Sequence, residues 1–91
     1  MSKKYVVQAR IFKAMSDENR LRILQLLKDR DYNAGELLDE MDFGQSTLSH
    51  HMKVLLQAGV VRSRKNGKWT YYALQKPAFQ GMIEWMEGYL S

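Results

Sequence analysis

Apolar residues recur along this chain at helical spacing in five segments and alternate at strand spacing in one. In residues 4–15, Val7, Ile11, Ala14 and Met15 mark one helix face and Tyr5, Ala9 and Phe12 another, so the first helix needs two packing partners. Ser16 is the expected N-cap of a second helix, with Asp17 and Glu18 suited to its positive end, and Leu21, Ile23, Leu24, Leu26 and Leu27 carry that helix to about Arg30. Asn33-Ala34-Gly35-Glu36 has the form of a capping box and opens a short third helix reaching about Met41. After the turn Asp42-Phe43-Gly44, Leu48, Met52 and Leu55 repeat at i, i+4, i+7 and predict a fourth helix from Gln45 to about Ala58, stopped by Gly59. Residues 60–65 and 68–74 flank Asn66-Gly67, which predicts a hairpin with a type I′ turn centred on that pair. Pro77 suits the first turn of a last helix, whose Phe79, Met82, Ile83, Met86, Tyr89 and Leu90 form one stripe. The order predicts a mainly α (α+β) fold, a winged helix-turn-helix of five helices and one β-hairpin wing.

Composition narrows the class. The 91 residues carry no linker-like stretch, so one domain over 1–91 is expected, with a modest core covering about 60–65% of the unfolded chain's surface. There is no cysteine, hence no disulfide or thiolate metal site, and no apolar run nears the roughly 18 residues of a membrane span. A cytoplasmic protein without membrane insertion is expected. Charge is uneven: between Asp42 and Glu84 there is no acid, while Lys53, Arg62, Arg64, Lys65, Lys68 and Lys76 all fall there. This local excess, within a formal net charge of +4, is the footprint of a surface that meets a polyanion.

The fourth helix puts chemistry on that footprint. Its N-terminal residues Gln45, Ser46 and Thr47, with Ser49 and His50 a turn later, are the expected base-reading set, because Gln pairs with adenine bidentately and hydroxyls both donate and accept. Lys53, Arg62, Arg64, Lys65 and Lys68 are the expected DNA backbone contacts. Trp69, Tyr71 and Tyr72 alternate across strand faces, so some of them pack on the helices. His50 and His51 are neighbours on a helix and do not converge on one ion, so His51 is expected at a partly buried helix position. No nucleophile with a base, phosphate loop or paired-carboxylate site stands out, and no enzyme is expected.

Phe12-Lys13-Ala14-Met15-Ser16-Asp17, Arg20-Leu21-Arg22-Ile23-Leu24, the run 45–55 containing Ser49-His50-His51, Ala58-Gly59-Val60-Val61 and the run 67–74 ending Tyr71-Tyr72-Ala73-Leu74 resemble the arsenic-responsive repressor (ArsR) family of winged helix-turn-helix regulators. The resemblance covers about residues 12–74. It implies a homodimeric repressor on a palindromic operator, commonly its own promoter, released by an inducer, with Gln45, Ser46, Ser49 and His50 at the base-reading positions. It also implies dimerisation through the first and last helices, here Val7, Ile11, Phe79, Met82, Ile83 and Met86. The cysteine pair that metal-sensing members carry falls on Asn33 and Gly35, and the Asp, His and Glu ligands of a second family site meet only Gln, Met, Trp and Glu in residues 75–87. No metal and no cofactor are therefore expected. Two other signals stay open: sequestration by a protein partner through Leu56, Trp85 and Met86, and a small apolar ligand between Met82, Met86 and Trp85.

Overall fold

The computed structural model describes residues 3–91, so the first two residues of the expected domain lie outside the described part. In chain order the elements are α1 (Val6–Ala14), α2 (Glu18–Leu27), β1 (Tyr32–Asn33), α3 (Ala34–Asp39), α4 (Gln45–Gln57), β2 (Val61–Asn66), β3 (Trp69–Leu74) and α5 (Lys76–Glu87). The expected five helices and wing are present, and all five helices contribute to one apolar cluster, with Ile23, Leu37, Met52, Leu55 and Val60 fully covered.

The start of α2 differs from expectation by one residue. Asp17, extended at φ −127°, ψ 132°, is the cap and accepts the Arg20 amide at 3.0 Å. Ser16 instead donates its hydroxyl to the Lys13 carbonyl at 2.7 Å and closes α1. A carboxylate is also the better acceptor at the positive end of a helix. α2 stops at Leu27, its last core position, because the Lys28 and Asp29 amides turn back to the Gln25 and Leu26 carbonyls in a tightened turn. At α3 the capping box forms as expected, with Asn33 Oδ1 accepting the Glu36 amide at 2.8 Å and Glu36 Oε1 accepting the Asn33 amide at 2.9 Å.

α4 ends in a Schellman motif. Gly59, at φ 77°, donates to the Leu56 carbonyl and Val60 donates to the Leu55 carbonyl, while the side chains of Leu55 and Val60 are both fully buried. One glycine thus stops the helix and turns the chain into the wing.

The sheet holds a strand that periodicity did not reveal. β1 pairs antiparallel with β3, Tyr32 opposite Tyr72 and Asn33 opposite Tyr71, giving the order β1-β3-β2. The wing turn also sits one residue later than expected. Asn66 pairs with Trp69, so the loop is Gly67-Lys68, and no described residue other than glycine has positive φ. With Gly67 at φ 64° in the first central position, the turn fits type II′, not a type I′ turn centred on Asn66-Gly67.

Candidate nucleic-acid interface

α4 divides its residues by the helical period. Leu48, His51, Met52 and Leu55 are buried against the core, and Gln45, Ser46, Thr47, Ser49, His50 and Lys53 are exposed. All five expected base-reading residues therefore share one solvent-facing helix surface. Gly44 occupies the N-cap in an extended conformation, no side chain caps the helix, and no acid lies in its first turn. The positive end of the helix is left open beside Gln45, Ser46 and Thr47, a polarity that favours an anion.

The wing carries the rest of the charge. Val61 is the one buried residue of β2, and Arg62, Arg64, Lys65 and Lys68 are all exposed. Tyr72 packs against the core, whereas Trp69 stays 49% exposed at the wing tip with the Lys68 ammonium 5.3 Å from its ring. Arg64 is less free than its neighbours. Its guanidinium lies 4.7 Å from the Tyr71 ring and 3.4 Å from the Asp31 carboxylate, an acid from outside the acid-free stretch. Asp31 offsets part of the Arg64 charge, so Lys53→Ala is expected to lower the salt slope of DNA binding by about one unit and Arg64→Ala by less. Asp31→Asn should tighten binding; fluorescence anisotropy over a salt series checks all three.

A part-buried polar anchor holds α4, and linear spacing had not indicated it. Arg20 donates through Nε to the Ala14 carbonyl at 2.6 Å, and its Nη1 lies 3.1 Å from His51 Nδ1. Asp17 Oδ2 is 4.0 Å from the same His51 nitrogen, and the Phe43 ring packs on the imidazole with centroids 5.4 Å apart. Only 7% of His51 is exposed. Since arginine has no acceptor, the contact requires His51 Nδ1 to be unprotonated and the ring neutral. The expected partly buried position of His51 is thus a buried joint between α1, α2 and α4. Its signal was the Asp17…Arg20…His51 set, unreadable without the fold because the partners are 31 residues apart.

Burial, the largest cause, holds the His51 pKa below the ordinary imidazole value of 6.5; Asp17 opposes this shift, while Arg20 and His50 add to it. The native state therefore binds fewer protons than the unfolded chain below that value. The stability is present above pH 6.5 and is lost as pH falls through the lowered native pKa. The melting temperature should drop between pH 7.5 and 5, and His51→Gln, which keeps an acceptor for Arg20, should flatten that drop. An unchanged slope in the variant would place the titration elsewhere.

α1 and α5 divide their apolar residues between the chain's own core and its surface. Ile11 and Met82 are buried within this chain at 4% and 8% exposure and are already spent on its own core, leaving Val7, Ile83 and Met86 exposed and Phe79 half-buried. Trp85 packs between the Phe12 and Tyr89 rings, at 5.9 and 5.2 Å. An apolar pocket lies between α5 and α2, lined by Leu21, Leu24, Phe79 and Ile83 among others. Among the described residues no group of three or more His, Asp or Glu is placed to hold a metal ion, and no helix is long and apolar enough to cross a membrane.

Residues 17–63, just over half of the chain, match the family model described as bacterial regulatory protein, arsR family. The chain belongs to the ArsR family. Like other members, it is a DNA-binding transcriptional regulator and not an enzyme. It is 36% identical over 81 residues to the transcriptional repressor SdpR of Bacillus subtilis (strain 168), covering 89% of this chain and 90% of the relative. With the arsenical resistance operon repressor of Staphylococcus aureus it shares 40% identity over 74 residues, covering 81% of this chain and 71% of that one. The solved structure of HlyU from Vibrio cholerae N16961 superposes with a TM-score of 0.78 at 35% identity, covering 94% of each chain. A HlyU of the same species is named a transcriptional activator. Family membership fixes the DNA-binding architecture; the direction of regulation varies among these relatives.

Proposed function

We propose that this ArsR-family protein is a homodimeric repressor that binds a palindromic operator in its own upstream region and responds to a signal other than a metal ion. The observation that carries the reading is the exposed, acid-free face of α4, from Gln45 to Lys53, next to a wing with four exposed basic residues. Gln45, Ser46, Thr47, Ser49 and His50 read bases in the major groove, while Lys53, Arg62, Arg64, Lys65 and Lys68 contact the backbone.

Dimerisation is supported by the apolar surface left over when the chain folds. Val7, Ile83 and Met86 remain 63%, 53% and 49% exposed on α1 and α5, and a second copy would cover them. A two-fold axis through these helices would set the two α4 helices about 34 Å apart, one turn of DNA. Repression is favoured because SdpR and the S. aureus relative are both named repressors. Metal independence rests on ligand chemistry. Asn33 is committed to the α3 cap, Gly35 has no side chain, and α5 offers only Glu84 and Glu87 as hard ligands.

The test is a gel shift on the gene's own upstream DNA, with chelator and then with a panel of divalent metals. A shift that survives chelation and ignores every metal is expected, with Gln45→Ala costing roughly 1–3 kcal/mol at one base pair and relaxing specificity there. Failure to find any sequence-specific site near the gene, or release by a metal, overturns the reading.

A further inference from the structure

The wing and α4 account for the basic residues of the acid-free middle apart from Lys76, but the N-terminal end holds a second acid-free stretch. Residues 1–16 contain Lys3, Lys4, Arg10 and Lys13 and neither Asp nor Glu. Because residues 17–42 are rich in acids, a count over the first half of the chain hides this charge. Folding separates it. Arg10 and Lys13 lie on the flank of α1 that faces α4, while Phe12 lies on the flank that meets Trp85 of α5.

Between α1 and α4 this flank makes a pocket of about 470 Å³, lined by Arg10, Lys13, Arg20, His50 and Gln57 with Ala14 and Val54. Three cations, an imidazole and an amide line it, and no carboxylate does. Among the described residues neither Arg10 nor Lys13 has an ion-pair partner. Arg20 is held in place from behind by its bonds to the Ala14 carbonyl and His51, and its Nη2 makes only a long 3.5 Å contact to the Lys13 carbonyl. Arg10 and Lys13, without ion-pair partners among the described residues, and Arg20, whose charge Asp17 offsets in part, line one concavity, and their mutual repulsion is relieved by an anion.

The geometry points to this pocket as a phosphate site, taking a backbone phosphate of the DNA that α4 reads. The link is His50, which belongs both to the exposed reading face and to the pocket lining, so a duplex seated on that face brings its backbone toward the α1 flank. DNA is favoured over a free anion by this continuity. A backbone phosphate arrives in fixed register with Gln45 and Ser46, and the pocket then positions the reading helix without reading sequence. α1 thereby joins the DNA contact along one flank while its other flank packs on α5.

The inference rests on α4 facing DNA as proposed above, and the two fail differently. Wild-type protein that binds no operator defeats the repressor reading, whereas this inference is tested on non-cognate duplex as well. Arg10→Gln, Lys13→Gln and the double variant are compared with wild type and with Arg22→Gln, an exposed cation on α2 outside the pocket, by anisotropy over a salt series. Each pocket variant should reduce the salt slope by a part of one unit and weaken operator and non-cognate DNA by the same factor, about fivefold at physiological salt. The double variant should lose about the one unit that a single phosphate contributes and bind more weakly than either single variant, with melting temperature and oligomeric state unchanged. A double variant with the wild-type slope overturns the inference, and so does one whose weaker binding follows a lowered melting temperature at unchanged slope. Inorganic phosphate, titrated without DNA and followed by amide shifts at Arg10, Lys13 and His50, should bind weakly and compete with duplex. Saturation below millimolar phosphate with DNA binding indifferent to both variants would assign the pocket to a free anion and also overturn it.

Discussion

Leu55→Ala should strip away a large share of the protein's stability, weakening DNA binding only through the loss of folded protein, without touching the exposed face of α4. Leu55 is fully buried, it is the last of the three apolar positions that seat α4, and its backbone carbonyl accepts the Val60 amide in the Schellman motif that starts the wing. Truncation removes the packing of most of a side chain and leaves a cavity beside Val60, Met52 and the α2 face, a change that costs about 2–5 kcal/mol. A chain of this length has only about 5–14 kcal/mol of total stability, so the loss is a large share of it. The urea midpoint should fall sharply with little change in the slope of the transition. Val60→Ala, which keeps the same carbonyl bond and removes less side chain, should fall by a smaller amount; equal losses would mean that the cap and not the packing sets the effect.

The helices were legible because each carries its core on a period that the sequence displays directly. Leu48, Met52 and Leu55 are the clearest case, and the Asn33–Glu36 capping box is local enough to be read from four residues. What the pattern did not carry is non-local or finer than one residue. β1 has two residues and exists only because β3 offers Tyr71 and Tyr72 as partners from 38 and 40 positions away. Register in the wing depends on which residue pairs across the turn, and Asn66-Gly67 reads equally well as a type I′ centre or as the last strand residue followed by a type II′ glycine. The observed register brings Asn66 into the ladder opposite Trp69 and leaves Lys68 in the loop.

For the interface, residue types and spacing placed the exposed set on α4 correctly, because a 13-residue helix with one buried face has only one other face to show. Three features needed the fold. Asp31 reaches Arg64 across 33 positions and interrupts in space a stretch that is acid-free in sequence. Ile11 and Met82 lie on stripes that look available to a partner, yet the chain folds them into its own core. His51 has the same residue type as His50 and the opposite environment, one buried against Arg20 and the other exposed on the outer face of α4, since neighbouring helix positions point about 100° apart.

Ser46→Glu should separate folding from function in the opposite sense to Leu55→Ala. The first turn of α4 has no acidic residue and no side-chain cap, so a carboxylate there meets the positive end of the helix and should stabilise the fold by about 0.3–1 kcal/mol. On the DNA face proposed for α4, the same carboxylate would stand close to the phosphates that flank the groove. A like charge brought within roughly 5 Å, at an effective dielectric between those of water and a protein surface, costs about 1–3 kcal/mol, and the serine hydroxyl is lost as well. Binding to any duplex should therefore weaken at least tenfold, and more at low salt, while the melting temperature stays level or rises. Ser46→Gln, of nearly the same shape and without the charge, should recover most of the non-specific affinity; if it does not, sterics and not charge set the loss. α2 and α3 each carry an acid at their start, Asp17 and Glu36, whereas α4, like α1 and α5, forgoes that stabilisation. On the proposed DNA face, the bare N-terminus of α4 gives up local stability and leaves the positive end of the helix open to an anion from another molecule.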